Sequence, residues 1–142
     1  MMQGRQFLST ARLLLRDGVD EAAHRSVISR AYYACFIETT GIAWTECLAI
    51  TRRDAGGFFT HDILQKSLKN GGETQAVRNL GTDLASFRAN RKKADYLMGE
   101  TVTEIDAKDA IEFAESFLAD LDTIPAQSIG KAMDRYKQIT GS

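Results

Sequence analysis

Proline is nearly absent from this sequence, since Pro125 is the one proline in 142 residues. Because proline interrupts helices and is common in turns, its scarcity favours long helices. No segment shows a sustained alternation of polar and apolar residues, so no sheet is predicted. With 44% hydrophobic and 26% charged residues, a chain of this length can bury one core. These features together predict an all-α fold.

The sequence also lacks a large excess of positive or negative residues, since its net charge is −1. The average surface therefore gives no attraction to nucleic acid or to an anionic membrane, and any RNA affinity has to come from a local patch. The sequence has no apolar run of about eighteen residues and no signal-peptide pattern. This pattern favours a cytoplasmic protein without membrane contact.

Cysteine and histidine are scarce, with two of each. Cys35 and Cys47 lie in one predicted helix, about 18 Å apart along its axis, which is too far for a disulfide. We interpret both as buried or partly buried thiols in a reducing compartment. His24 and His61 fall on different predicted helices and have no paired spacing, so neither a metal site nor a cofactor is expected.

Apolar spacing, capping residues and glycines divide the chain into helices. We predict an antiparallel bundle of about five helices in residues 1–124 and an extra C-terminal helix in 125–142, packed on the bundle or on a second subunit. Asp20 and Thr60 are predicted N-caps, and residues 51–57, with Arg52 and Arg53, are predicted to form a loop. The predicted helices cover residues 3–16, 20–48, a short helix after Thr60 that runs through Leu68 and is ended by residues 70–72, then 73–98, 103–121 and 126–139.

The fourth predicted helix carries charges where a core is expected. On a helical wheel Arg91 falls within the apolar face, Asp95 lies at its edge, and Arg88 is one turn before Arg91. A lone buried ion costs several kcal/mol, so the pattern predicts a charged partner or a solvated cleft. The apolar face itself consists of Val77, Leu80, Leu84, Phe87, Ala94 and Met98.

Two partners for Arg91 are predicted. Asp95 stands four residues later on the same helix, at a spacing that brings side chains together. Glu38 lies within the apolar stripe of the second helix and is expected to approach Arg91 across a helix pair. Such a network either fixes the register of the bundle without chemistry or forms part of a functional site.

A basic segment with an aromatic edge surrounds this position: Arg88, Arg91, Lys92 and Lys93, with Tyr96 beside them. In a homodimer the segment would be doubled and could form a cleft for single-stranded RNA. The alternative to an RNA site is that this segment is a solvated face near the C-terminus of its helix, where the helix dipole favours cations.

Three segments together resemble the HEPN superfamily, whose name stands for higher eukaryotes and prokaryotes nucleotide-binding. Residues 29–36 (SRAYYACF) resemble the Ala-Tyr-Tyr-Ala segment of HEPN helices. Thr60 and His61, followed by Ile63 and Leu64, resemble a short mid-chain segment of that family. Residues 91–96 (RKKADY) are similar to the R-x-x-A-D-Y signature of one prokaryotic branch. The resemblance covers residues 3–121.

The resemblance implies a helical bundle that usually dimerises. Many family members are metal-independent ribonucleases with an R-x(4–6)-H motif, often toxins or effectors of antiviral and CRISPR systems. Others are paired with a small nucleotidyltransferase that serves as antitoxin. For this chain the resemblance implies Arg88, Arg91 and Asp95 as catalytic residues, with Lys92, Lys93 and Tyr96 in RNA binding.

The sequence departs from the nuclease motif because no histidine follows Arg88 or Arg91, and Asp95 stands where one is expected. An aspartate, normally an anion at neutral pH, can orient a 2′-hydroxyl or accept its proton weakly, but it donates protons poorly. His61 is either a local hydrogen-bonding residue or a substitute base. Two functions follow. One is a toxin–antitoxin or defence protein that binds RNA in an inter-subunit cleft, with or without cleaving it. The other is a non-catalytic module that dimerises and binds a protein such as a nucleotidyltransferase.

Overall fold

The structure, a computed structural model, describes residues 3–51 and 61–140, without the side chains of residues 47–51. Over these ranges the chain is helical and contains no strand, which confirms the all-α prediction for the described residues. The described helices are α1 (Gly4–Asp17), α2 (Glu21–Thr51), α3 (His61–Gly71), α4 (Gln75–Tyr96), α5 (Glu104–Thr123) and α6 (Ala126–Thr140).

The observed helix bounds lie within three residues of the predicted ones, with corrections at the ends of α2 and α4. α2 continues to Thr51, the first residue of the predicted loop and three residues beyond the predicted end of the helix. The other correction concerns α4. This helix ends at Tyr96, so Met98 lies beyond it and is 72% exposed, instead of joining the apolar face. The predicted loop with Arg52 and Arg53 and the predicted Thr60 cap lie outside the described residues, as does the Cys47 side chain.

Side-chain caps explain where two helices begin. The Asp20 carboxylate accepts the backbone N–H of Ala23 at 2.8 Å, which satisfies a free donor in the first turn of α2. Thr103 and Asp106 cap α5 reciprocally, with side-chain-to-backbone distances of 2.9 and 3.2 Å. The backbone hydrogen bond from Thr103 lowers the pKa of Asp106. These caps confirm both predicted helix starts.

The chain divides into two compact units. Unit 1 consists of Met1–Glu38 and Ser86–Leu118, and unit 2 of Thr39–Ala85 and Ala119–Ser142. The core of unit 1 contains a cluster of aromatic rings. The Tyr32 and Phe87 rings meet edge to face with centroids 5.7 Å apart, and the Phe87 and Phe113 rings do so at 4.8 Å. Such contacts hold the C-terminal half of α4, with its charged residues, in a fixed position within unit 1.

In unit 2, α6 packs directly on α3. Leu64 and Leu68 of α3 and Ile129 and Met133 of α6 are all buried. The two backbones come close at Gly71, because a Cβ there would lie 3.1 Å from the Tyr136 nitrogen and closer still to the Ala132 carbonyl oxygen. The crossing therefore depends on glycine at position 71.

The Gly71→Ala substitution is expected to lower the free energy of unfolding by about 2 kcal/mol, because the added methyl group overlaps backbone atoms that cannot move independently. Gly41→Ala is the matched control, since Gly41 is in α2 with no atom within 4 Å of its Cβ position. That control should raise stability by about 0.7 kcal/mol through helix propensity. Urea denaturation followed by circular dichroism measures both. Similar changes in the free energy of unfolding for the two substitutions would contradict the close backbone crossing at Gly71.

Candidate functional site

Arg91 points into unit 1, as the helical wheel predicts. The residue is 9% exposed, and its Nε donates to Asp95 Oδ2 at 2.9 Å. The Ser29 hydroxyl of α2 donates to the same carboxylate oxygen at 3.4 Å. Of the two predicted partners, Asp95 is therefore paired with Arg91. The ion pair is only partly solvated, since the side chain of Asp95 is 27% exposed.

Three tyrosine rings surround the Arg91 guanidinium. Its central carbon lies 5.2 Å from the ring centroid of Tyr33, 5.8 Å from that of Tyr96 and 5.9 Å from that of Tyr32. Each ring is within the range of a cation–π interaction, which strengthens when the cation is desolvated. We refer to Ser29, Tyr32, Tyr33, Arg91, Asp95 and Tyr96 as the Arg91 cluster.

The electrostatic environment keeps Arg91 charged. Burial acts to lower the pKa of Arg91, but a hydrogen bond with Tyr96 and interactions with Tyr33 and Asp95 outweigh it, so the pKa is raised. Burial raises the pKa of Tyr32, with Arg88 and Arg91 acting in the opposite direction. The Tyr32 phenol is therefore neutral at physiological pH, and Arg88 acts on it electrostatically together with Arg91.

A second buried cation, Arg25, holds the C-terminus of α4. Its guanidinium donates to the carbonyl oxygens of Lys93 at 3.1 Å, Ala94 at 2.7 Å and Leu97 at 3.2 Å, and also to that of Glu100. The last carbonyls of a helix have no partner within the helix, so a cation there is favourable. This contact explains why α4 ends near Tyr96.

Glu21 links Arg25 to the segment that follows α4. Its Oε1 accepts from Arg25 at 3.1 Å and from the backbone N–H of Val102 at 2.8 Å. The pKa of Glu21 is lowered, first by the Val102 hydrogen bond and then by Arg25. Glu21 and Arg25 form a structural clamp that fixes the end of α4, and thereby the Arg91 cluster beside it.

The burial of Arg25 was not predicted from the sequence. One signal was present, because Arg25 stands three and seven residues before Ile28 and Tyr32, which are both buried. Its partners are mostly backbone carbonyls 68 to 75 residues away. Carbonyl groups occur at every position and carry no sequence signature, so the pairing could not be inferred.

The other predicted site residues have different surroundings. Lys92 is exposed, and Lys93 pairs with Glu100 at 3.6 Å. The side chain of Glu38, a residue of α2, reaches the first turn of α1, where its Oε1 accepts the backbone N–H of Arg5 at 3.2 Å. His61 is the first residue of α3, in unit 2. The structure thus joins Arg91, Asp95 and Tyr96 into one cluster, and the Glu38–Arg91 approach stays a prediction.

Cys35 packs as a core residue of unit 1. It is fully buried, and its Sγ lies 3.9 Å from the Ala114 carbonyl oxygen. Burial raises the pKa of the Cys35 thiol, so the reactive thiolate is disfavoured. This position fits the predicted buried thiol, not a nucleophile.

The Arg91 cluster offers a permanent cation, an anchored carboxylate and an exposed aromatic ring. A guanidinium can stabilise charge on a phosphate, and a tyrosine ring can stack on a base.

Within residues 3–51 and 61–140, no group of three histidine, cysteine or acidic residues could hold a metal ion, and no described helix is long and apolar enough to cross a membrane. Comparison with family models, curated proteins and solved structures finds no match to this chain.

Proposed function

We propose that this protein is a HEPN-like, RNA-binding protein of a toxin–antitoxin or defence module, and that it binds RNA along the end of α4 that carries the Arg91 cluster. The observation that supports this proposal most is the partly buried Arg91–Asp95 pair beneath three tyrosine rings. A cation, a carboxylate and aromatic rings together are suited to a phosphate and an unstacked base.

The exposed part of this surface supplies the direct contacts. Tyr96 is 68% exposed, so its ring is available for stacking on a base. Lys92 is exposed four residues before it and adds a positive charge for the phosphate backbone. In the proposed homodimer a two-fold axis doubles these groups across one cleft.

A cleavage step would use Arg91 and Asp95 in different roles. The 2′-oxygen would attack the phosphorus and form a 2′,3′-cyclic phosphate as the bond from phosphorus to the 5′-oxygen breaks. Asp95 would position the 2′-hydroxyl and accept its proton, Arg91 would stabilise negative charge on the phosphate, and the departing 5′-oxygen would take its proton from water. Asp95 already accepts from Arg91 and Ser29, so its carboxylate is oriented in advance. Addition of EDTA should leave such cleavage unchanged, because no step in it uses a metal.

RNA binding is tested by fluorescence anisotropy with a labelled single-stranded RNA at low salt. Tyr96→Ala is expected to weaken binding about tenfold, because one base loses its stacking partner. Lys92→Ala should weaken it less, and Lys131→Ala, which removes an exposed lysine from α6, should leave it unchanged. Equal affinities for the wild type and Tyr96→Ala would overturn the proposed binding surface.

One observation favours a second function, that of a non-catalytic module that binds a nucleotidyltransferase. Both buried cations, Arg25 and Arg91, have partners within unit 1, as expected for charges that specify a fold. Co-expression with a nucleotidyltransferase encoded next to this chain, followed by size-exclusion chromatography, tests it. A stoichiometric complex together with no RNA affinity would support this module, whereas RNA affinity without a complex would support the first proposal.

A further inference from the structure

Exposed apolar side chains gather at one end of unit 1, in the links that join α1 to α2 and α4 to α5. We refer to residues 17–21 and 97–106, which contain these links, as the link surface. Single exposed apolar residues are ordinary, but several in one region mark an interaction site. The exposed large apolar side chains of the link surface are Val19, Leu97, Met98 and Ile105.

Contacts within unit 1 join the two links into one surface. Glu21 Oε1 accepts the backbone N–H of Val102 at 2.8 Å, and the Arg25 guanidinium donates to carbonyl groups of the second link. Met98 lines the same groove as Ala22, in the first turn of α2. The clamp therefore fixes the backbone of the link surface before any partner binds.

The charged residues of the link surface have one sign, since it contains six acidic residues and neither lysine nor arginine. The acidic residues are Asp17, Asp20, Glu21, Glu100, Glu104 and Asp106. Four of them contact a basic residue outside the surface at 2.9 to 3.8 Å, but their side chains are 47 to 66% exposed. Such exposed pairs are weak, so a partner's cations can compete for these carboxylates.

The apolar and acidic groups of the link surface alternate closely. Ile105 stands between Glu104 and Asp106, and Val19 directly precedes Asp20. A complementary partner has to present apolar side chains with positive charges beside them. An amphipathic helix with lysine or arginine along the edges of its apolar stripe has this pattern.

The charge of the link surface disfavours the other occupants of an apolar patch. Phosphates are repelled by carboxylates, which argues against a nucleic acid and against an anionic membrane. In an isologous dimer the same surface of both subunits is buried, so the carboxylates of one copy would face those of the other. These repulsions favour a basic partner that differs from this chain.

We propose that the link surface binds a basic amphipathic helix of another protein. The apolar stripe of the helix would cover Val19, Leu97, Met98 and Ile105, and its lysines or arginines would approach the surrounding carboxylates. The flexible thioether of Met98 can adapt its shape to the bound side chains. None of these residues belongs to the Arg91 cluster, so the surface can bind such a helix whether or not the chain binds RNA.

Fluorescence anisotropy of the full chain with a labelled synthetic helix tests the proposal. The probe is an amphipathic peptide of about eighteen leucine and lysine residues, long enough to form a helix. A peptide with glutamate in place of every lysine, and one with the first composition in scrambled order, should each bind at least about tenfold more weakly. Failure of the first peptide to bind, or equal affinity for either control peptide, overturns the proposal.

Matched variants locate the binding surface. Ile105→Gln should weaken binding of the leucine–lysine peptide about tenfold, whereas Ile139→Gln, which changes a similarly exposed isoleucine of α6, should not alter it. Glu104→Gln should weaken binding about threefold, and Glu112→Gln, at another exposed position of α5, should leave it unchanged. Circular dichroism verifies that each variant is folded. Unchanged affinity in Ile105→Gln, or an equal loss in Ile139→Gln, overturns the proposed surface.

Two further measurements identify a different occupant. Size-exclusion chromatography with light scattering shows whether the chain alone forms a dimer that Ile105→Gln dissociates. Co-sedimentation with phosphatidylserine vesicles shows whether the chain binds an anionic membrane through the same residue. We expect neither effect, because both occupants bring negative charge to the link surface. Either effect would assign the surface to a second copy or to a membrane and overturn the proposal.

Discussion

The Arg25→Ala substitution is expected to lower the free energy of unfolding by about 3 kcal/mol, a large effect for one residue. The side chain donates to the carbonyl oxygens of Lys93, Ala94, Leu97 and Glu100. Its removal leaves these acceptors without their cation and also breaks its ion pair with Glu21. Urea denaturation followed by circular dichroism at 222 nm measures the change.

Two further variants test whether the loss of stability is due to the particular contacts of Arg25. Arg12→Ala removes an arginine that is half exposed and paired with Glu115 at 3.5 Å, so its expected effect is below about 1 kcal/mol. Arg25→Lys keeps the charge but loses the planar fork, and we expect an intermediate loss of stability. An effect of Arg25→Ala no larger than that of Arg12→Ala would show that the clamp does not stabilise the fold.

The second large effect is expected at Arg91. Arg91→Met keeps the volume of the side chain but removes its charge, and it should lower the free energy of unfolding by about 3 kcal/mol. The cause is the Asp95 carboxylate, which is then left in a partly buried position without its cation. Three tyrosine rings lose a cation–π partner as well.

A double-mutant cycle with Asp95→Asn tests this interpretation. The amide no longer requires a cation, so the double variant Arg91→Met/Asp95→Asn should be more stable than the sum of the single effects predicts, by about 1 to 2 kcal/mol. Purely additive effects would mean that the 2.9 Å contact contributes nothing to stability. If the double variant folds but does not bind RNA, the cluster has a role beyond stability.

Most of the fold could be predicted because its signals are local. Apolar spacing and capping residues define each helix, as with Asp20 at the start of α2. The same is true of Thr103 and Asp106 at the start of α5. The end of α4 was predicted at Met98, two residues late, because the clamp from Arg25 that ends it comes from another helix.

The site was predictable only in part. The inward position of Arg91 and its pairing with Asp95 follow from helical geometry within α4, and both are confirmed. Tyr32 is buried, with 1% of its surface exposed. Its approach to the guanidinium requires the packing of α2 against α4, which no local pattern specifies. Arg30 lies in the segment SRAYYACF, but the absence of a hydrogen-bond partner for its buried Nε is visible only in three dimensions.

The clamp at the end of α4 also bears on how salt should affect any complex with RNA. The logarithm of the affinity of such complexes falls linearly with the logarithm of the salt concentration. The slope is proportional to the number of counterions that basic residues release from the phosphates. The Arg25 guanidinium donates to carbonyl groups of its own chain. It is therefore not available to a phosphate and releases no counterions. A count of the 18 lysines and arginines therefore overstates the salt dependence, which should instead reflect the few accessible cations, such as Lys92.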